Sequence, residues 1–417
     1  MKIAVLSPVP FLPATQGNTV RIDALTRALR TQGHEVWVVL LCDPPDLAPY
    51  HAAYGADRVI TLPAEARVPR FLRRLNLWLR RRAGQVLHLP GRHYRRLDDL
   101  YQSRWTPHLR RLQVRIGFDA VCTTYVHTSA ALDAFPDDVL KLIDTHDAFA
   151  EAHVAYRARG VKWFFYSLRT ADECRGFRRA DVILAIQAEE AARFRHQLDT
   201  HPAGRAADPA VAVVSHIHDE STVPAADHTP CRALFLGSRN AANLRGAQVF
   251  VTQVLPLITA RLPEFRLVMA GDVCTAIPDH PHVIKLGRVD NVADAFAAAP
   301  ILVNPVAMGT GINIKMLDAM AAGVPAVSTP MGLRGLPQTC RDFVIEVPDD
   351  DPQAFADALV ALVPDTARRR ALGARARAQV ASWNAAQTGA LARSLAQTPR
   401  CAARSDAPAV WPAQIPV

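Results

Sequence analysis

Residues 305–332, PVAMGTGINIKMLDAMAAGVPAVSTPMG, set Gly309, Thr310 and Gly311 ahead of a helical pattern that carries Lys315 and Asp318. Glycines let backbone amides approach a ligand closely. A helix N-terminus adds unpaired N–H groups and partial positive charge, a combination suited to phosphate. Lys315, one turn into the helix, reaches toward the same anion. Asp318 follows three residues later on an adjacent part of the helix face, where a carboxylate could accept two hydroxyls of a ribose. The pattern fits a nucleotide-diphosphate site with lysine on phosphate and aspartate on sugar. It also fits a solvated ion pair beside an ordinary strand-to-helix turn. A second candidate, LIDTHDAFAEAH, places Asp144, His146 and Asp147 at the carboxyl end of a predicted strand. A His146–Asp147 pair there can orient a hydroxyl, the aspartate fixing the imidazole tautomer, or it can be plain loop polarity. His127, after the preceding strand, is the alternative histidine, whereas His216 and His218 fall in a polar stretch and are given no chemical part.

These residues need a scaffold that brings strand ends together. IAVLS at 3–7 is a short apolar run, and the loop PVPFLPATQGN follows. Ile22, Leu25 and Leu29 then recur at helical spacing up to a stop at Gly33. HEVWVVLL, FDAVCTT, VLKLID, DVILAI and VAVVS continue the alternation, which predicts a parallel α/β sheet. From 216 to 230 the chain turns polar and irregular, as a linker does. After it CRALFLGS, RLVMAG, HVIKLG, ILVNPV and VPAVST start the alternation again, with Val251, Val254, Leu255, Ile258 and Leu262 as a helix stripe. The predicted organisation is an N-terminal α/β domain over 1–215 and a second over 231–378. Helical patterning continues over 379–397, and 398–417 reads as a disordered tail. The fold class is α/β, two Rossmann-like parallel sheets facing a cleft. Open parallel sheets bind ligands beyond the carboxyl ends of their strands, so one ligand per half is expected.

The 417 residues suit two cores, and no apolar run approaches the roughly 18 residues of a membrane-spanning helix. Pro8, Pro10 and Pro13 interrupt the apolar N-terminus, which reads as a buried strand and not an export signal. Seven scattered cysteines suggest a reducing compartment and no zinc site. The formal charge is +9, yet residues 67–115 alone hold fourteen arginines and two acids, a local +12. With Phe71, Trp78, Tyr94 and Trp105 interleaved, that segment reads either as a solvated helical face or as a basic surface for anionic lipid or a phosphate-bearing acceptor. Nucleic acid is not expected, because no recognition motif accompanies the charge.

The run GTGINIKMLDAMAAGVPAVSTPMGLRGL resembles the donor-site signature of retaining glycosyltransferases of the GT-B fold, the family 4 group, also called glycosyl transferases group 1. The likeness runs from Leu317 to Thr329, with Asp318 in place of the second glutamate of the family pattern. Thr310 stands where the first glutamate would be, as in a G-T-G-x-x-x-K subset. PVPFLPATQGNTVRIDALTRALRTQGHEVWVV looks like the family's first loop and helix, with Gly17 beside the cleft. LFLGSRNAANLRG looks like the first strand and loop of its second domain, and Trp383 resembles the tryptophan heading its last helix; the resemblance implies an acceptor-side domain over 1–215, a nucleotide-sugar donor domain over 231–378 and a helix over 379–397 that returns to the first. The resemblance implies donor contacts from Gly17, Arg239 (Arg245 second), Gly309, Thr310, Gly311, Lys315 and Asp318. It also implies catalytic parts for His146 and Asp147. It further implies transfer with retention from a nucleotide-diphosphate sugar to a glycan or lipid-linked acceptor, with no metal and no cofactor beyond that co-substrate. A cytoplasmic protein, peripheral at the inner membrane face through 67–115 and serving cell-surface glycan or glycolipid synthesis, is the expectation. The rivals are a sugar-nucleotide epimerase of the same architecture and a binding protein that has lost catalysis. A nicotinamide enzyme is disfavoured because no G-x-G-x-x-G follows the first strand.

Overall fold

The computed structural model describes residues 1–62, 93–158, 166–202, 208–218, 231–289, 291–309 and 311–399. Thr310, residues 67–92 of the arginine-rich segment, 219–230 of the predicted linker and 400–417 of the predicted tail lie outside the described residues.

Strands β1 (Lys2–Ser7), β2 (Glu35–Leu40), β3 (Val59–Thr61), β4 (Ala120–Thr124), β5 (Leu140–Asp144), β6 (Val182–Ala185) and β7 (Ala210–Val213) form one parallel sheet. Its order is β3-β2-β1-β4-β5-β6-β7. Strands β8 (Arg232–Leu236), β9 (Arg266–Ala270), β10 (Val283–Gly287), β11 (Leu302–Asn304), β12 (Ala326–Ser328) and β13 (Val344–Glu346) form the second, also parallel, in the order β10-β9-β8-β11-β12-β13. The continuous apolar runs of the central strands are the mark of sheets covered on both faces. Ile3, Val5, Leu140 and Leu142 pack to one side of the first sheet, while Ala4, Leu6, Val121 and Ile143 pack to the other. Ile22, Leu25 and Leu29 of the Gly17–Thr31 helix are buried as their spacing predicts, and Gly33, at φ 83°, ends the turn beyond it. The stripe from Val251 to Leu262 is interrupted, a π turn over Phe250–Val254 preceding the short Leu255–Thr259 helix.

In each sheet the strand order reverses once, between β1 and β4 and between β8 and β11. A crevice opens at such a reversal, because neighbouring connections leave in opposite directions. The loops after β1 and β4 therefore confront those after β8 and β11. The last helix, Thr366–Leu395, is one piece of 30 residues beginning ahead of the predicted 379. Ala376, Val380 and Trp383 belong to the second domain's core, and Leu391 and Leu395 to the first domain's core. No helix among the described residues is long and apolar enough to cross a membrane.

Candidate functional site

Two helices begin at the cleft from opposite domains. Gly17 opens one after β1 and Ile314 opens the other (Ile314–Ala322) after β11. A Cβ added at Gly17 would lie 3.6 Å from Ile314 Cδ1, ordinary van der Waals contact, so the two N-termini stand within side-chain reach of each other. They border a cavity of about 990 Å³, the size of a substrate pocket. Gly17, Arg239, Gly309, Lys315 and Asp318 all line it, as does Asp147 from the N-terminal domain. Arg245 is exposed and is not among the lining residues.

Lys315 and Asp318 do not act as a solvated pair. Lys315 Nζ donates to Asn243 Oδ1 at 2.9 Å and lies 5.3 Å from the Phe235 ring centre. Its stem is half-buried but its ammonium is enclosed, and that burial pulls it down to about 7 against the opposing pull of Asp318. Asn243 is itself held, its amide nitrogen donating to the Ser238 carbonyl at 3.0 Å. Asp318 Oδ1 sits 3.2 Å from His218 Nε2. The stretch after β7 reaches the cleft, where His216 and His218 line the same cavity. The His218 N–H donates to Asn384 Oδ1 at 2.9 Å, Asn384 donates back to the His218 carbonyl at 2.9 Å, and Trp383 Nε1 donates to the His216 carbonyl at 2.8 Å.

The loop that follows β11 takes an unusual path. Gly309 has φ 140° and Gly311 φ 69°, where a side chain is strained. A Cβ on Gly311 would come within 3.1 Å of the His146 carbonyl oxygen. Arg334, which follows β12, donates through Nε to the Gly311 carbonyl at 2.7 Å and lines the same cavity. Burial lowers its guanidinium, with Glu190 and Asp147 opposing. Arg334 stands within the signature run, but its spacing from Lys315 carries no signal until the loop folds back.

Across the cleft, His146 adopts φ 56° at the end of β5 and is buried. Its Nε2 lies 2.9 Å from Asp144 Oδ2, an ion-pair contact beneath the imidazole. Asp147 lines both cavities. Asp144 is fully buried; that burial would raise its carboxyl, but Arg21 and His146 hold it at about 2. Arg21 donates Nε to Asp144 Oδ1 at 3.0 Å and Nη2 to the Val214 carbonyl at 2.8 Å, so the guanidinium that pairs with the anion is itself fixed. The Tyr125 ring stacks on His146 at 4.4 Å and on His127 at 4.9 Å from its other side. Burial, then His146, drives His127 down to about 3, so it stays neutral. These rings line a second cavity of about 900 Å³ with Asn18, Asp43 and Trp105. Among the described residues, no three His, Cys, Asp or Glu are grouped to hold a metal ion.

The described part of the arginine-rich segment ends in the Trp105–Ile116 helix, which buries Trp105, Leu109 and Leu112 and exposes Arg110, Arg111 and Arg115.

Residues 230–365 match the family model of glycosyl transferases group 1. A stretch of 157 residues, 34% of this chain, is 28% identical to a GDP-mannose-dependent monoacylated alpha-(1-6)-phosphatidylinositol monomannoside mannosyltransferase of Corynebacterium glutamicum. Another of 122 residues, 28% of this chain, is 31% identical to the N-acetyl-alpha-D-glucosaminyl L-malate synthase of Bacillus anthracis. These matches span only 41% and 30% of the relatives' own lengths. Likeness of fold is far wider. A sucrose-phosphate synthase from Thermosynechococcus elongatus superposes with a TM-score of 0.67 at 16% identity, over 95% of this chain and 99% of that one. HepE of Anabaena in complex with UDP gives 0.61 at 11%, over 94% and 100%. The chain has the two-domain GT-B architecture.

Proposed function

We propose, from a C-terminal domain that belongs to the glycosyl transferases group 1 family, that this protein moves a sugar from a nucleotide-diphosphate sugar to an acceptor hydroxyl. The observation that carries the reading is the convergence of Lys315, Arg334, Arg239 and the Ile314–Ala322 helix N-terminus on one cavity, with Asp147 facing them and His146 in the adjoining cavity that Asp147 also lines. As the bond from the anomeric carbon to the leaving phosphate oxygen breaks, negative charge collects on the diphosphate, and fixed cations and amides stabilise it. In a retaining, front-face course the acceptor oxygen attacks from the side the diphosphate leaves, and its proton passes to a departing phosphate oxygen. His146, held by Asp144, positions a hydroxyl of the transferred sugar, and Asp147 faces the acceptor. Asp318 and His218 together meet the ribose hydroxyls. No metal is needed in this scheme, because the cations of the chain carry the leaving-group charge.

The acceptor is a glycan or lipid-linked glycan of the cell surface, and segment 67–115 holds the protein at the inner membrane face. What supports this is the local charge of +12 and the substrate that one relative is named for, a phosphatidylinositol mannoside. Sedimentation with anionic liposomes at low salt tests it, and no co-sedimentation would remove the membrane part.

GDP-mannose, UDP-glucose, GDP and UDP, each scanned by thermal shift against the protein and Lys315→Ala, test the donor site. A ligand at a hundredfold over its Kd adds about 2.7 kcal/mol. Stabilisation by one nucleotide class, lost in the variant, supports the reading, and the anomeric configuration of the product by NMR, with and without EDTA, tests retention and metal independence. Donor binding without transfer or hydrolysis would favour the lapsed binding protein, and sugar inversion without acceptor the epimerase.

A further inference from the structure

The donor loop carries no glutamate where the family pattern has one, yet a carboxyl group reaches it from the other domain. Glu190 lies in the first turn of the Ala188–Thr200 helix, which follows β6 of the N-terminal domain. Its Oε1 accepts the Gly311 N–H at 2.9 Å. Gln187, the residue before that helix, donates Nε2 to the Gly311 carbonyl at 3.2 Å. With Arg334 on the same carbonyl, both polar atoms of the Gly311 peptide are fixed by side chains, two of them from across the cleft. Glu190 is buried, and its Oε2 has no hydrogen-bond partner among the described residues. A buried, half-satisfied carboxyl is costly, and its place in the sheet-end crevice invites a function.

We propose that Glu190 is a positioning residue for the donor. It supplies to the glycine loop, from the opposite domain, a carboxyl group in a chain whose own loop has Thr310 at that motif position. This rests on the donor-site reading above and deepens it, because the loop takes its diphosphate-binding shape only when the two domains are closed. Closure and donor binding are then one linked event, since order in the Gly311 peptide depends on Glu190 and Gln187 being within reach.

The linkage has a pH signature. Burial, then the Asp147 charge, lifts the Glu190 carboxyl to about 7, while the Gly311 N–H, Gln187 and Arg334 pull it back. Glu189 of the same turn adds a further negative group near Arg334. Because the closed seam binds a proton more tightly than the open one, closure weakens as pH rises from the ordinary carboxyl range through about 7 and stays weaker above it.

Hydrogen exchange of the segment 305–316 in the free protein, with nucleotide affinity by calorimetry alongside, tests the proposal from pH 6 to 8.5. In Glu190→Ala the segment should exchange about tenfold faster and the donor Kd rise about tenfold, the loss of one buried hydrogen bond. Glu190→Gln keeps an acceptor oxygen, so affinity at pH 6.5 should stay within about twofold of the parent while the pH dependence of protection, after correction for intrinsic exchange, disappears. Unchanged exchange in Glu190→Ala, or an unaltered pH profile in a folded Glu190→Gln, would overturn it; if Glu190→Ala does not fold, the Gln variant decides. A parent that binds no nucleotide, yet shows the expected exchange, would sink the donor reading and leave the cross-domain coupling standing.

Discussion

An ammonium enclosed beside Asn243 and Phe235 gives up its proton near neutrality when no anion faces it, and this makes Lys315 a reporter of its ligand. A diphosphate in contact raises the lysine's proton affinity, so binding at pH 7.5–8 should take up a proton. Calorimetry in buffers of different ionisation enthalpy reads that uptake directly. Affinity should fall by up to about tenfold per pH unit above 7, and neither effect should survive in Lys315→Met. Asp144 makes the opposite case. Its folded value near 2 lies below the ordinary carboxylate value, so its contribution to stability is present above pH ~4 and lost as pH falls toward 2. Arg21→Met strands the buried anion and should cost about 3–5 kcal/mol at pH 7 in urea unfolding, and less near pH 4–5, where the carboxyl then protonates. Lys315 and Asp318 were legible because both stand on one short helix at a readable spacing. Their partners Asn243 and His218 come from 72 and 100 residues away, and no local pattern announces them.

Among elements, the central strands declared themselves through unbroken apolar runs, whereas β3 and β13 did not. Each is three residues long at a sheet edge with half-exposed side chains, so little hydrophobic signal is required of it. Asp351 caps the Pro352–Leu362 helix, its Oδ1 accepting the Ala354 N–H at 2.9 Å. The stretch at 216–218 looked like a linker because its burial comes from the last helix, a contact that composition cannot convey. Gly311 joins the local and distant scales, its positive φ being local and its closeness to His146 not. Gly311→Ala should lower unfolding free energy by only about 1–2 kcal/mol, the strain of a left-handed Cβ, while donor affinity falls further than stability. Thermal melts beside a nucleotide titration would separate the two, and a parallel decline in both would mean that the loop merely fills space.

For the whole molecule, the resemblance around Trp383 implied the returning helix, and two sheets with facing switch points were foreseeable from the repeated alternation. Their mutual approach was not, because it rests on single contacts such as Gln32 Nε2 on the Thr388 carbonyl at 2.9 Å and the Ser215 N–H on Gln387 Oε1 at 2.8 Å. Trp383 lies where the helix passes from one core to the other, buried on the side of the second domain with its indole N–H on the backbone of the first. Trp383→Ala should remove about 3–5 kcal/mol, and denaturant unfolding followed in each domain should change from one transition to two. The same helix bears on the order of synthesis. Leu391 and Leu395 complete the core that residues 1–214 begin, yet they are made only after the entire second domain. On the ribosome the first domain therefore waits unfinished, a hollow under its sheet, until the second has been threaded out, and the two halves are sealed by one late segment.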